Sequence, residues 1–366
     1  VLDPRVRHRD MEHWDVFYHQ LDRYDFAKFS KVIVGLSGGS DSLALTLAAN
    51  SYLAEKHPSC ELIAVTVDHG LREEARAEAV KVGQICQAHD IHHEIAPWEG
   101  EKPKSGIQQK AREARYRLLS AAAQRHNTAL VLIAHNRGDD LETRAMRAQR
   151  QNKNEVAHGI SEATLYRCET WFVRPFLNLE KAQLQDFLRA NNVTWIEDPS
   201  NKDRRFERVR TRQDMGETAS GDHLQTSDVY PEKELCAFMA DADNVDFHDG
   251  DRRVVVQNFS ADNAVHYEAL RILLSLVGAT AYLPSQNAVR EAVATLFQFS
   301  DNGRKFTLNG CLMTKDRGGI ALQCEARNRR DGQFGFDHIL TSRYYEIALV
   351  LRERRGLSRL PPLPMR

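Results

Sequence analysis

The stretch KVIVGLSGGSDS, Lys31–Ser42, decides the fold. KVIVGL is a short, β-rich apolar run without polar alternation, the pattern of a strand buried on both faces. Beyond the glycine pair the chain reads as a helix from Asp41 to about Glu55. A strand that passes into a helix over two glycines makes a cradle for phosphate. Gly38 and Gly39 let the backbone approach phosphate oxygens closely, and the first helical turn offers free N–H groups and the positive end of its dipole. Ser37, Ser40 and Ser42 can add hydroxyl donors. Asp41 would be repelled by bare phosphate, so its expected task is to hold a Mg²⁺ that bridges a leaving pyrophosphate. The Lys of a Walker loop is missing, which disfavours a kinase or GTPase of that type. The plainer reading is a Gly turn with Ser and Asp helix caps.

Outward from this loop the pattern repeats. ELIAVTVD (Glu61–Asp68), HHEIAPW (His92–Trp98) and ALVLIAH (Ala129–His135) read as further strands. Helical stretches at Glu73–His89, Ser105–His126 and Asp139–Gln149 alternate with them. Alternation of this kind implies parallel pairing and a doubly wound α/β sheet. Upstream, Trp14, Phe17, Leu21 and Tyr24 recur at helical spacing within His13–Phe29. Downstream, FVRPFL (Phe172–Leu177) leads into an amphipathic helix, Glu180–Asn191. Ligands of open parallel sheets sit beyond the carboxyl ends of the strands. Leu36 runs into SGGSDS, Val67 into Asp68-His69-Gly70, and Ala134 into His135-Asn136-Arg137-Gly138-Asp139, so three strand ends are expected to share one crevice.

Past the sheet the character changes. Residues 1–212 read as the α/β domain and 213–227 as a linker. Residues 228–326 form a smaller, mostly helical domain containing a β-hairpin, and 327–366 an Arg-rich C-terminal segment. Helices are expected over Val265–Val277 and Ser285–Phe299. The hairpin strands are Lys305–Met313 and Gly319–Glu325, around Lys315-Asp316-Arg317-Gly318. The net charge of −1 gives no reason by itself to invoke nucleic acid. Glu217–Asp251 carries ten acids, whereas Arg327–Arg366 has nine Arg against four acids, either a solvated surface or a phosphate-binding patch. The six cysteines are scattered without a CxxC pair, which fits a reducing, cytoplasmic setting and argues against a disulfide framework or structural zinc. No apolar run approaches a membrane span. The N-terminus is too charged for a signal peptide, and its first residue, Val, implies that the native start lies upstream.

SGGSDS between a buried strand and a helix resembles the PP-loop of the ATP-pyrophosphatase superfamily. Four further segments, in order, resemble the tRNA(Ile)-lysidine synthetase family. They are VDHGLR (Val67–Arg72), GIQQKAREARYRLL (Gly106–Leu119), AHNRGDDLET (Ala134–Thr143) and EDPSNKDRRFERVRTR (Glu197–Arg212). The likeness is dense over Lys31–Arg212 and looser at FTLNGCLMTKDRGGIALQC (Phe306–Cys324). It implies an adenine nucleotide alpha hydrolase-like sheet. The implied activity joins L-lysine to C2 of the wobble cytidine of an isoleucine tRNA with a CAU anticodon. ATP would be split to AMP and pyrophosphate, with Mg²⁺, through an adenylated cytidine.

The resemblance also implies roles. Ser37–Ser42 hold phosphates and Mg²⁺, and Asp68 with His69 lines the nucleotide pocket. Arg112 meets phosphate or the activated cytidine. His135, Asp139 and Glu142 match a family pattern H-x-x-x-D-x-x-E-T whose acids handle lysine. Arg208 joins the lysine site from a stretch that closes over it, where Arg204, Arg205, Arg210 and Arg212 are candidates for tRNA or ATP phosphates. Bare chemistry agrees, since carboxylates bind ammonium well. A lysine ε-amine of ordinary pKa about 10.4 must also lose a proton before it attacks. Asp139-x-x-Glu142 fits a capping box too, and Asp198-Pro199-Ser200-Asn201 fits a plain turn. The sequence departs from the family in three respects. Gly138-Asp139 replaces two adjacent acids and Asp140 a common Gln. No Gly-rich Arg-Gly-Ser segment is recognisable in Arg147–Gly159, and Val209 replaces an Asn. The rivals are a tRNA thiolase, disfavoured by the missing CxxC, a small-molecule ligase, and a non-catalytic RNA-binding relative. The oligomeric state stays open, with a homodimer among the options.

Overall fold

The structure, a computed structural model, describes residues 11–70, 74–100, 102–103, 105–150, 159–197, 232–248, 253–278, 280, 283–298, 305–316, 319–325, 339–341, 344–354 and 360–365. The chain divides into two compact units. One comprises Val1–Gln151, Ala157–Asp222 and Pro361–Arg366, the other Asn152–Val156 and His223–Leu360.

The first unit is built on strands β1 (Lys31–Gly35), β2 (Glu61–Asp68), β3 (His92–Pro97), β4 (Leu130–Ile133), β5 (Ala163–Tyr166) and β6 (Thr170–Val173). Within the unit they lie in the order β5-β6-β4-β1-β2-β3. β3, β2, β1, β4 and β6 are parallel, and β5 closes one side as an antiparallel hairpin partner of β6. The inner strands β1, β2, β4 and β6 are buried on both faces, with Val32, Ile33, Val34, Leu130, Val131 and Leu132 fully enclosed. That is why they read as continuous apolar runs rather than alternating ones. Helices α2 (Ser40–Lys56), α3 (Glu74–Ala88), α4 (Ile107–Arg125), α5 (Arg137–Arg150) and α6 (Lys181–Ala190) occupy the crossover and flanking positions, as the alternation implied. α2 is apolar nearly all round, Leu43–Ala49 being buried without a break, because the sheet, α6 and the first helix enclose it. The loop at its head is therefore fixed to a deeply buried helix.

Two expectations shift in this unit. The stretch His13–Phe29 is not one helix. α1 (Met11–Leu21) stops, and a single 3₁₀ turn, Phe26–Lys28, follows. Tyr24 is fully buried just after the break, its hydroxyl donating to Glu162 Oε1 at 2.9 Å. The aromatic spacing was nonetheless a packing signal, since Phe17 meets Phe176 edge-on and Phe187 at a tilt, with ring centroids 5.1 and 4.6 Å away. FVRPFL contributes the end of β6 rather than only a lead into α6. At the other end of the chain, Pro361–Met365 lies on this unit. Trp171 Nε1 donates to Pro361 O at 3.2 Å and Asp25 N to Pro364 O at 2.8 Å.

The second unit holds a five-stranded antiparallel sheet, so the anticipated hairpin is only its centre. Its strands are β7 (Val245–His248), β8 (Arg253–Gln257), β9 (Lys305–Leu308), β10 (Cys311–Asp316) and β11 (Gly319–Cys324), in the order β7-β8-β11-β10-β9. Lys305–Met313 is thus two strands joined at Asn309-Gly310, both in the left-handed region at φ 53° and 77°, the turn that Asn-Gly favours in tight hairpins. α7 (Glu232–Ala240), α8 (Ala264–Val277), α9 (Gln286–Phe297) and α10 (Tyr345–Arg354) share its core. Within the Arg-rich segment Arg354 has a packing role, its guanidinium donating to Met239 O at 2.9 Å and Val245 O at 2.6 Å.

Candidate active site

The nucleotide loop leaves β1 at the middle of the sheet. Leu36 N still bonds Val65 O of β2 at 2.9 Å, after which the chain turns sharply. Gly38 sits at φ +84°, and a β-carbon there would come within 2.7 Å of Val82 Cγ2 and 3.0 Å of Ile196 Cδ1. Only glycine fits. Ile196 N bonds Gly38 O at 2.9 Å, so the chain just before Glu197 braces the loop from above. The serines knit the turn together. Ser37 Oγ and Ser42 Oγ lie 3.1 Å apart, Ser42 Oγ also accepts from Ser37 N at 3.2 Å, and Ser40 Oγ donates to Asp41 Oδ1 at 3.0 Å. Asp41 stands in the first turn of α2, where the backbone N–H groups are free of helical partners.

β4 ends at Ile133, beside β1, and delivers the third cluster. Here the side-chain network differs from the capping box weighed for Asp139-x-x-Glu142. The box lies one turn earlier, because α5 begins at Arg137 and not at Asp139. Asn136 Oδ1 accepts from Asp139 N at 3.1 Å, and Asp139 Oδ2 accepts from Asn136 N at 3.0 Å. Asn136, almost fully buried, also donates from Nδ2 to Asp41 Oδ2 at 3.0 Å. The loop carboxylate and the head of α5 are joined through this one amide. Glu142 follows on the same helical side as Asp139 and is buried, and His135 is half-buried at the strand end. Asp140, the departure from a common Gln, pairs with Arg144 Nε at 2.7 Å and accepts from Ile160 N, so it ties the returning chain to α5.

β2 ends with Asp68, whose Oδ1 accepts from Gly70 N at 2.8 Å. His69 follows, its ring edge-on to Trp98 at 5.8 Å. Burial first, with Arg115 and Lys102 adding to it against Asp68, pushes His69 down to about 4. It is neutral near pH 7 and suited to contact a neutral base. On α4, Arg112 is exposed and leans on Tyr116, with Nη2 3.3 Å from the phenol oxygen and the guanidinium 5.3 Å from the ring. Beneath it the buried Arg174, from the end of β6, donates to Tyr116 OH at 2.9 Å. Burial alone would raise the Tyr116 phenol, but Arg174 and Arg112 outweigh it and hold it below its usual value.

Asp41 and Asp139 are thus brought together, Asp68 with His69 stands at the end of β2 and His135 beyond the end of β4, and Glu142 lies further along α5. Arg204, Arg205, Arg208, Arg210 and Arg212 lie outside the described residues, as do Leu71-Arg72, Asp198-Pro199-Ser200-Asn201 and the linker 213–227. Sequence reading missed Asn136, Ile196 and Arg174. Asn136 carried a usable signal, an N-cap residue type between a strand and a helix. The residues present fit Mg²⁺. Asp41 is one carboxylate at a helix head, each oxygen holding a single hydrogen bond, and Mg²⁺ shared with phosphates asks for one or two carboxylates and water. Among the described residues no three His, Cys, Asp or Glu gather into a metal cage.

Comparison with known proteins accords with this geometry. A model of the PP-loop domain family matches residues 12–219. The tRNA(Ile)-lysidine synthase of Bartonella quintana is 32% identical over 350 residues, covering 84% of this chain and 73% of that protein. The protein of the same name from Mesorhizobium japonicum is 34% identical, covering 81% and 67%. Among solved structures, the U34-tRNA thiolase NcsA of Methanococcus maripaludis aligns at a TM-score of 0.47 and 16% identity over 56% of this chain and 72% of that one. A PP-loop domain over the strand-end site, and relatives of this identity along most of both chains, carry one conclusion: the chain belongs to the tRNA(Ile)-lysidine synthase family.

Proposed function

We propose that this protein ligates L-lysine to C2 of the wobble cytidine of an isoleucine tRNA bearing a CAU anticodon, splitting ATP to AMP and pyrophosphate in the cytoplasm. The observation that carries the reading is the Asp41–Asn136–Asp139 linkage, which sets a phosphate cradle and a carboxylate-bearing helix head side by side. In the first step the cytidine O2 attacks the α-phosphorus and pyrophosphate leaves. The loop N–H groups and the Ser37, Ser40 and Ser42 hydroxyls hold the triphosphate for that displacement. Mg²⁺ held by Asp41 would supply charge neutralisation to the leaving pyrophosphate. In the second step the lysine ε-amine attacks C2 and AMP departs. Asp139 and Glu142 bind the ammonium form and take up the proton it must shed. Arg112, braced by Tyr116, faces the phosphate or the activated base, and Asp68 with His69 lines the nucleotide pocket. The arginines of 204–212 are assigned to phosphates and, for Arg208, to lysine.

A thiolase reading is disfavoured by the lack of a CxxC pair in the sequence. Cys60 and Cys86 are buried, and burial pushes both thiols up to about 11, away from the thiolate that sulfur transfer needs. The deciding experiment incubates the protein with labelled lysine, ATP and bulk bacterial tRNA. Label should reach RNA only when ATP is present, and Asp41→Asn should abolish it. Label-free RNA with the unmodified protein would sink the reading, and an active Asp41→Asn would remove Asp41 from the metal.

A further inference from the structure

The link between loop and helix has a consequence for how the two steps stay in register. The Asn136 amide can point only one way. Its Nδ2 faces Asp41 Oδ2 at 3.0 Å and its Oδ1 accepts from Asp139 N at 3.1 Å, and reversing it would set oxygen against carboxylate and NH₂ against N–H. It is 4% exposed, so water does not compete for these bonds. An N-cap needs only the acceptor half of the amide. The donor half, spent on a carboxylate in another loop, is surplus to capping and calls for its own explanation.

We infer that Asn136 is a positioning residue that locks the Asp41 carboxylate to the head of α5 and so couples the adenylation half of the site to the amine-binding half. This rests on the function proposed above. With the donor in place, Asp41 is held by Ser40 on one oxygen and Asn136 on the other, and any movement of α5 moves both half-sites together. Without it, Asp41 is free to swing and the amine carboxylates lose their registration to the adenylated base. The adenylated cytidine then waits for lysine long enough for water to attack C2. That attack expels AMP and restores the C2 carbonyl, so ATP is consumed and the tRNA is returned unmodified.

Asn136→Ser separates the two roles. Its hydroxyl still accepts from Asp139 N but stops one bond short of Asp41. The experiment follows ATP binding by calorimetry across a Mg²⁺ series, and counts AMP released per lysine attached to tRNA. Outer-shell partners of metal ligands are typically worth 10–100-fold in affinity. The serine variant should therefore melt close to the unmodified protein, need roughly tenfold more Mg²⁺ for ATP binding, and release several AMP for each lysine attached. Asn136→Ala, which loses the cap as well, should show the same defects on a less stable protein. A serine variant with unchanged Mg²⁺ dependence and one AMP per lysine would leave Asn136 a helix cap only. Should that variant not fold, Asn136→Thr keeps a capping hydroxyl and removes the amide donor, and one-to-one coupling in it would equally overturn the inference. If the unmodified protein attaches no lysine, the proposed function fails instead, while the calorimetric arm still reads the Asp41–Asn136 contact.

Discussion

At the scale of single residues the site is held by positions whose chemistry leaves little choice. Gly38 is the sharpest. A β-carbon at its left-handed φ costs about 1–2 kcal/mol before it meets Val82 Cγ2 at 2.7 Å. Gly38→Ala should lower the melting temperature and weaken ATP binding by roughly tenfold or more, read by thermal denaturation and calorimetric titration. His69 gives a pH signature. Its proton affinity falls from an ordinary 6.5 to about 4 on folding. Above pH 6.5 neither state carries the proton. As pH drops from 6.5 towards 4 the unfolded chain takes up a proton the folded one refuses, so stability declines with acid over that window. In His69→Gln this part of the decline should disappear from urea midpoints measured against pH. The positions of Asp41 at the head of α2 and Asp68 at the end of β2 were legible in the sequence, because motif and strand end coincide there. Asn136 was not, because its partner Asp41 is remote along the chain and nothing local announces a contact with it.

At the scale of elements, the strands and helices around the loop were readable from periodicity, since a strand buried on both faces leaves an unbroken apolar run. The hairpin of β5 and β6 was not, because its strands are only four residues each, too short for a clear period. Arg174 shows what holds it. The buried guanidinium donates from Nη1 to Ser161 O, Thr164 Oγ1 and Phe172 O at 2.7, 2.8 and 3.3 Å, and from Nη2 to Tyr116 OH. It thereby pins the hairpin to α4. Arg174→Met should cost on the order of 3 kcal/mol, because buried acceptors are left unmet. Loosening Tyr116 should also raise the ATP or tRNA concentration needed for half-maximal rate, which steady-state kinetics would register alongside a urea titration.

At the scale of the whole molecule, two cores do separate work. Leu273 is fully enclosed in the second unit, and Leu273→Ala should cost about 3 kcal/mol through the cavity it leaves. Calorimetric ATP binding, which the proposed function assigns to the first unit, should be unchanged in the same variant at temperatures where it stays folded. The sequence alone determined the parallel sheet and the glycine turn between β1 and α2, because hydrophobic period and glycine placement act within a few residues. It could not determine the amide that joins Asp41 to α5, the bracing of Gly38 by Ile196 or the return of Pro361–Met365 to the first unit. Each of those is a contact between groups far apart along the chain. Such contacts exist only once packing has brought their backbones within hydrogen-bonding reach, and local sequence preferences carry no record of that distance.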